Sequence, residues 1–315
     1  MHSLRFATAL VFSLLAAGAA AATDTLRVGK PEARAFDFVP VEIGTEKGIF
    51  ARHDIELETI AFGGAAMMHQ AMTGGNLDIA LGSGPEMGAL AKGAPEKAVA
   101  AFFGAPMNIS IIVRADSPIA TVEELRGKTV GAGSLNSLTG WVAAETSRRQ
   151  GWGPDGIKIA PVGSRAGITA QLLSGNVDAG VDGTEDAYML EAAGKARILI
   201  RMGEVIPDFL GHVIFASDTL IAKNPDALRR FLEAWFETIA FMKANETETV
   251  RVASRVSNLS PEIAATTWRE QMPLFSDDGR FDPKAVAVVK RSILDLGIVD
   301  HDFDMKSLYT EAFLP

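Results

Sequence analysis

From Thr25 onward, short β-branched and apolar runs alternate with segments whose apolar positions recur every three or four residues. Alternation with a period of two is typical of half-buried strands, and the longer period is typical of helices. The pattern predicts strands at 25–28, 55–60, 77–81, 99–103, 109–114, 128–132, 157–162, 177–181, 198–202 and 212–216, with helices over 39–50, 65–72, 86–92, 136–150 and 166–173. This alternation indicates βαβ units and mostly parallel sheets.

The C-terminal third has a different pattern, almost without strands. Asn224 and Pro225 form a helix start, and further helices are predicted over 261–268 and 283–296. Trp235 lies on the apolar stripe of the first of these helices, so we interpret it as core packing rather than as a ligand contact. These helices are expected to cover an existing sheet.

A weak internal repeat joins the two halves of the alternating region. Residues 70–81 resemble residues 171–181, and each copy predicts a helix, a tight turn, an aspartate and a buried strand. We expect Asp78 and Asp178 to hold their turns rather than to react. A polar loop follows each strand, at 82–86 and at 182–185. Because ligands of open α/β sheets bind beyond the carboxyl ends of strands, the repeat predicts two facing half-sites.

Composition and charge exclude several classes of protein. The chain has 315 residues, a net charge of -9, 48% hydrophobic residues and no Cys. A mainly disordered chain is excluded by this apolar content, and nucleic acid is not expected as a partner of an acidic protein. Without Cys there are no disulfides, thiolate metal sites or cysteine nucleophiles.

The first 22 residues match a secretory signal peptide. A basic start precedes an apolar run over 6–17, and Ala20 to Ala22 offer small residues for cleavage before Thr23. An uncleaved anchor is the alternative, but this run is shorter than the roughly 20 residues that a membrane span needs. We therefore expect a soluble, exported mature protein.

Motifs for catalysis and for cofactors are absent from the sequence. There is no Gly-x-Ser-x-Gly elbow, P-loop or His-Glu-x-x-His, and the five His residues lack ligand spacing. Gly131 and Gly133 begin a dinucleotide fingerprint, but Asn136 replaces its third glycine. We therefore predict no catalytic residues, no metal site and no cofactor.

Candidate ligand-binding residues cluster at two predicted helix starts. Backbone N–H groups at a helix start bind anionic oxygens, and hydroxyl groups add donors. The second-half start consists of Ser134, Asn136, Ser137, Leu138 and Thr139, and the matching first-half start consists of Gly63, Gly64 and Ala65. A simple N-cap is the alternative reading of the second-half start.

Further candidates lie in the loops that follow the strands. Phe36 and Phe38 either stack on a ligand or plug the core. The remaining candidates at the mouth of the site are Ser83, Gly84, Pro85, Glu86, Asp182, Thr184 and Glu185. Each carboxylate alone is best explained as solvated surface charge, but together they indicate a ligand with N–H donors. Arg165 either pairs with an anionic group or lies on the surface.

Four segments in this order carry a resemblance to a known family: residues 46–50, residues 74–78 with the loop 82–85, residues 123–131 and residues 173–179. The chain resembles the nitrate/sulfonate/taurine-type solute-binding proteins of ABC importers, a group similar to the thiamine-pyrimidine-synthase family. The resemblance implies the two-lobed type II periplasmic binding protein fold, an α/β fold in which each lobe is a mostly parallel sheet flanked by helices. It implies lobe 1 at 23–114 plus 218–315 and lobe 2 at 115–217, with crossing strands near 114–117 and 215–218.

The resemblance also implies a function. It predicts a monomeric periplasmic protein that captures a small polar or anionic solute (a sulfonate, a carboxylate or a heterocycle) and delivers it to an inner-membrane permease. The pyrimidine synthases carry a Cys-rich motif that this chain lacks, so their activity is not expected. The alternatives are an exported enzyme on the same scaffold and a ligand-sensing receptor subunit.

Overall fold

The strands form two separate five-stranded sheets. The computed structural model describes residues 23–135, 137–153 and 155–315; the predicted signal peptide and Asn136 lie outside them. In chain order the strands are β1 Asp24–Lys30, β2 Ile55–Ala61, β3 Ile79–Ser83, β4 Glu96–Phe103, β5 Ile109–Arg114, β6 Thr129–Ala132, β7 Lys158–Pro161, β8 Ala179–Gly183, β9 Ala196–Arg201 and β10 His212–Ser217. The strand orders are β2-β1-β3-β10-β4 and β7-β6-β8-β5-β9.

The two sheets have the same internal plan. In the first sheet β1 pairs in parallel with β2 and β3, and β10 is antiparallel to both β3 and β4. In the second sheet β6 pairs in parallel with β7 and β8, and β5 is antiparallel to both β8 and β9. Four strands of each sheet therefore share one direction, while one strand runs the opposite way and makes each sheet mixed.

The chain changes sheet earlier than the sequence predicts. It leaves the first sheet after β4, at Phe103, and joins the second at Ile109. It leaves the second sheet after Arg201 and rejoins the first at His212. The expected changeovers at 114–117 and 215–218 would have left β5 with the first sheet and β10 with the second. The backbone pairing assigns each of these strands to the other sheet.

Helices connect and cover the strands. They are α1 Pro40–Glu46, α2 Ile49–Arg52, α3 Ala65–Thr73, α4 Met87–Ala91, α5 Leu138–Arg149, α6 Arg165–Leu173, α7 Thr184–Ala192, α8 Met202–Val205, α9 Asp218–Lys223, α10 Pro225–Ala244, α11 Glu246–Ser257, α12 Pro261–Gln271 and α13 Pro283–Asp295. Short 3₁₀ turns span Phe36–Phe38, Gly84–Glu86, Val122–Leu125, Met272–Leu274 and Met305–Ser307. No helix in the described part of the chain combines the length and apolar content needed to cross a bilayer.

Two predictions about the helices need correction. The single helix expected over 39–50 is divided into α1 and α2, because Gly48 adopts φ 64°, a left-handed conformation that ends α1. The segment 182–185, expected to be a polar loop, contains the end of β8 and the first two residues of α7.

The internal repeat is a real structural repeat, and its aspartates have a structural role. The Asp78 carboxylate accepts from the backbone N–H of Arg27 at 2.9 Å, and the Asp178 carboxylate accepts from that of Thr129 at 2.8 Å. Each aspartate therefore ties its turn to the neighbouring strand, β1 or β6. The expected structural role is confirmed, although the bonds run to a neighbouring strand rather than within the turn.

The C-terminal helices cover the first sheet, as predicted. Trp235 on α10 is fully buried, and its ring meets Phe102 of β4 edge-on at a centroid distance of 5.1 Å. Asn224 caps α10 by accepting from the N–H of Ala227. This packing fixes the first sheet and orients the loops at the carboxyl ends of its strands.

Candidate functional site

Loops from the two sheets meet each other at the carboxyl ends of the parallel strands. Glu32, in the loop after β1, forms an ion pair with Arg165 at the start of α6, with Nη2 and Oε2 3.1 Å apart. Glu185, at the start of α7, accepts a hydrogen bond from the amide of Gln271 at 3.1 Å. These contacts join the two halves at the edge where ligands of α/β sheets bind.

Carboxylates dominate this meeting point. We call the set Glu32, Asp37, Asp182, Glu185 and Asp186, together with Arg165, the acidic cluster. Burial would lower the pKa of Arg165, but the charge of Glu32, followed by those of Glu185, Asp186 and Asp182, raises it. The Arg165 guanidinium lies so close over Gly183 that a Cβ there would come within 2.2 Å of its Nη1. Only glycine at 183 leaves room for this arrangement.

Asp37 is the most buried member from the first half. It lies in the 3₁₀ turn after β1 and is 2% exposed. Its Oδ2 accepts from Asn108 Nδ2 at 2.8 Å and contacts His212 Nε2 at 3.0 Å. Burial alone would lower the pKa of His212, but the charge of Asp37 outweighs it and raises that pKa. The buried contact with Asp37 therefore favours the protonated form of His212.

The second half contributes two carboxylates with raised pKa values. Burial, with the Asp37 charge adding to it, raises the pKa of Glu185 to about 7. Burial, with the Asp186 charge adding to it, raises the pKa of Asp182 to about 6. Asp182 accepts from Thr169 Oγ1 at 3.1 Å. Such values are typical of binding or catalytic sites, although structural networks also produce them.

Phe36 and Phe38 lie in the hydrophobic core. They are 0% and 2% exposed. Phe36 packs edge-on against Phe275, and Phe38 packs edge-on against His212 with centroids 4.9 Å apart. This burial favours core packing over stacking on a ligand. Asp37, between the two phenylalanines in sequence, is the polar residue of the turn.

The other first-half candidates divide between two environments. Gly63 is exposed, and Gly64 precedes α3 with φ 137°. Ala65, Pro85 and Glu86 line a cavity of about 240 Å³ beside α3 and α4. Gly84 lies against the backbone of the segment that precedes β10, where an added Cβ would come within 2.5 Å of the Leu210 carbonyl oxygen.

Glu86 and Ser83 take part in a half-buried ion cluster. Ser83 donates through its backbone N–H and its hydroxyl to Glu86 Oε1, at 2.9 and 2.8 Å. His69 lies between two carboxylates, with Nε2 2.7 Å from Glu86 and Nδ1 2.8 Å from Glu96. Burial alone would lower the pKa of His69, but the hydrogen bonds to Glu86 and Glu96 raise it to about 10. We call His69, Glu86 and Glu96 the histidine cluster.

The second-half helix start is organised by its own hydroxyl groups. Ser137 caps α5 by accepting from the N–H of Gly140 at 3.2 Å, and Thr139 Oγ1 accepts from the N–H of Gly133 at 3.0 Å. Ser134 is exposed and Leu138 is half-buried. Ser137 is therefore the N-cap of α5, as the alternative interpretation of this helix start predicts.

Thr184 faces inward and has a positioning role. Its hydroxyl donates to the Met107 carbonyl at 2.8 Å and lies 2.7 Å from Ser110 Oγ. Its backbone N–H donates to the Asn108 carbonyl at 2.9 Å. Thr184 thereby fixes the start of α7, and with it Glu185, against the segment that enters β5.

Sequence reasoning did not single out Asn108, His212 or Gln271. Asn108 directly precedes β5, His212 is the first residue of β10, and Gln271 ends α12. For Asn108 and His212, the sequence offered one signal: a polar residue next to a long apolar strand. Gln271 had no such signal. Within the described residues, no group of three or more His, Asp or Glu side chains is arranged to hold a metal ion.

Comparison with known proteins agrees with this architecture. The profile of the family described as "NMT1/THI5 like" matches residues 35–249, more than half of the chain. The chain belongs to the NMT1/THI5-like family. Over 283 residues it is 20% identical to a putative thiamine biosynthesis protein of Haemophilus influenzae, covering 87% of this chain and 88% of that protein.

Solved structures show the fold of this family member. The periplasmic aliphatic sulphonate binding protein SsuA of Escherichia coli superposes with a TM-score of 0.76 at 18% identity, covering 91% of this chain and 92% of that one. The desulfurization enzyme DSZB superposes with a TM-score of 0.65 at 17% identity, covering 92% and 97%. The fold is that of the periplasmic binding proteins, and at these identities the likeness concerns the fold alone.

Proposed function

We propose that this NMT1/THI5-like protein is the solute-binding component of an ABC importer. It captures a small polar or anionic organic solute between the two sheets and delivers it to an inner-membrane permease. The observation that carries the proposal is the direct contact between the two halves: Glu32 after β1 pairs with Arg165 after β7, and Glu185 at the start of α7 accepts from Gln271 at the end of α12. A hinge between two such halves allows them to open for a solute and to close on it.

Location and assembly follow from the same proposal. The signal peptide predicted over residues 1–22 would export the chain to the periplasm, where the mature protein acts as a monomer. The sulphonate-binding protein with the same fold is also periplasmic. The closed form is the one that docks on the permease, because only there do both halves present a fixed surface.

A thermal-shift screen tests this function. The mature chain, residues 23–315, is mixed with sulfonates, carboxylates, aromatic acids, amines and pyrimidines. A true solute at 100 times its Kd stabilises the folded state by about 2.7 kcal/mol. Small-angle scattering of the same mixture is expected to show a smaller radius of gyration. If no class of compound raises the melting temperature, the binding function is wrong.

An exported enzyme is the second candidate. Asp182 and Glu185, with their raised pKa values, are suited to proton transfer, and the enzyme DSZB shares the fold. Incubation of the bound solute with the protein, followed by mass spectrometry, separates the two functions. A binding protein returns its solute unchanged, whereas an enzyme returns a product.

A further inference from the structure

The acidic cluster and its neighbours contain buried acceptors for which the described residues supply no donor. Oδ1 of Asp37, Oδ1 of Asn108 and Oε1 of Gln271 have no hydrogen-bond partner within 23–135, 137–153 and 155–315. The three residues are only 2%, 6% and 1% exposed. A buried acceptor without a donor destabilises the folded state. The site therefore lacks hydrogen-bond donors that a ligand could supply.

These acceptors belong to one hydrogen-bonded network. The Asn108 amide donates to Asp37 at 2.8 Å, and the Gln271 amide donates to Glu185 at 3.1 Å. Thr184, which precedes Glu185, donates its backbone N–H to the Asn108 carbonyl. Each of the two amides therefore uses its nitrogen on a carboxylate and keeps its oxygen without a donor.

The uncompensated charge around this network is negative. Asp37 and Glu185 are close enough that the charge of Asp37 raises the pKa of Glu185, which burial alone already raises. The nearby cations are engaged: Arg165 pairs with Glu32 and Asp186, and His212 pairs with Asp37. The region therefore offers acceptors and negative charge, and its own cations are already used.

We propose that the acidic cluster binds the positively charged, N–H-rich end of the solute, such as an amidinium, a guanidinium or a primary ammonium group. This inference rests on the proposed binding function and narrows its substrate class. A cation of this kind donates to Asp37, Asn108 and Gln271 and neutralises the carboxylates. A sulfonate or carboxylate end would leave the acceptors unpaired and would face Asp37 and Glu185 with like charge.

Isosteric probes of different charge test the inference directly. Acetamidinium, acetamide and acetate have nearly the same size and shape, as do benzamidinium, benzamide and benzoate; methanesulfonate and benzenesulfonate complete the panel. The melting temperature of the mature protein is measured with each probe at matched ionic strength. We expect the amidinium of each series to raise it most, the amide less and the anions least.

Two variants connect this preference to the acidic cluster. Glu185→Gln keeps an acceptor for Gln271 and removes one charge, and we expect it to weaken amidinium binding at least tenfold. Glu123→Gln, an exposed carboxylate in the turn Val122–Leu125, changes the net charge equally and is expected to leave amidinium binding unchanged. Asp37→Asn serves as a second variant if Glu185→Gln does not fold.

A ligand-independent measurement checks the same idea. If Glu185 is held there for a cation, Glu185→Gln relieves repulsion and raises the melting temperature of the unliganded protein at pH 8 by about 2 °C or more. At pH 5, where Glu185 is largely protonated, the difference is expected to shrink.

The outcomes distinguish this inference from the proposed function. If acetate or the sulfonates stabilise the protein while the amidinium probes do not, binding stands and the cationic class is overturned. Equal stabilisation by amide and amidinium also overturns it, because the charge would then be irrelevant. If Glu185→Gln lowers the melting temperature at pH 8, the carboxylate is structural and the inference fails. If no probe stabilises the protein but a compound of the wider thermal-shift screen does, the cationic class is overturned and the binding function stands; if neither does, both fail.

Discussion

The histidine cluster makes a strong prediction about how stability depends on pH. The pKa of His69 rises from an ordinary 6.5 to about 10 in the folded state, because Glu86 and Glu96 bind its protonated ring. A difference of about 3.5 pKa units corresponds to as much as about 5 kcal/mol of folding free energy. Since the folded pKa is the higher one, this contribution is fully present below about pH 6.5 and is lost as the pH rises to about 10.

Urea unfolding of the wild type and of His69→Gln at pH 6.5 and pH 10 measures this contribution. We expect the variant to be less stable at pH 6.5 by about 2 to 5 kcal/mol, and the two proteins to converge at pH 10. His301→Gln is the matched control, because the His301 side chain is 68% exposed and bonds only to Asp300 among the described residues. A gap between wild type and His69→Gln that is equally wide at both pH values would refute the reasoning.

Three further predictions concern other parts of the fold. Arg165→Gln removes the pair with Glu32, a contact of less than about 1 kcal/mol, and is expected to increase the radius of gyration of the unliganded protein in small-angle scattering. Ser137→Ala removes the cap of α5 and should lower the urea-unfolding free energy by about 1 kcal/mol. Trp235→Ala empties a fully buried position and should lower it by about 3–5 kcal/mol.

The elements with a local signal were predictable from the sequence. Asn224 and Ser137 cap the helices that follow them. Helix α7 escaped prediction for a physical reason. Its first residues, Thr184 and Glu185, are polar and yet buried, so its inner face gives no apolar stripe.

The hydrophobic pattern of the sequence could not predict to which sheet β5 and β10 belong. Both strands are buried along nearly their whole length. A strand covered on both faces has the same apolar sequence in either sheet, so only backbone pairing distinguishes the two possibilities.

The acidic cluster was only partly predictable. Asp182 and Glu185 follow the strand that the internal repeat predicts at 177–181, which marked them as candidates. Asp37, Asn108 and Gln271 come from three distant segments, and only the tertiary fold brings them together with Glu185. The hydroxyl groups of Ser137 and Thr139 were plausible ligand donors, but the fold uses them to close their own turn.

The position of β10 between β3 and β4 has a consequence for the order in which the two sheets form during synthesis. All strands of the second sheet lie within residues 109–201, a continuous stretch. The first sheet has a gap between β3 and β4 until residues 212–217 emerge from the ribosome or the export channel. Its long-range pairing makes it the slower half to form. The half that is translated first is thus the last to be completed.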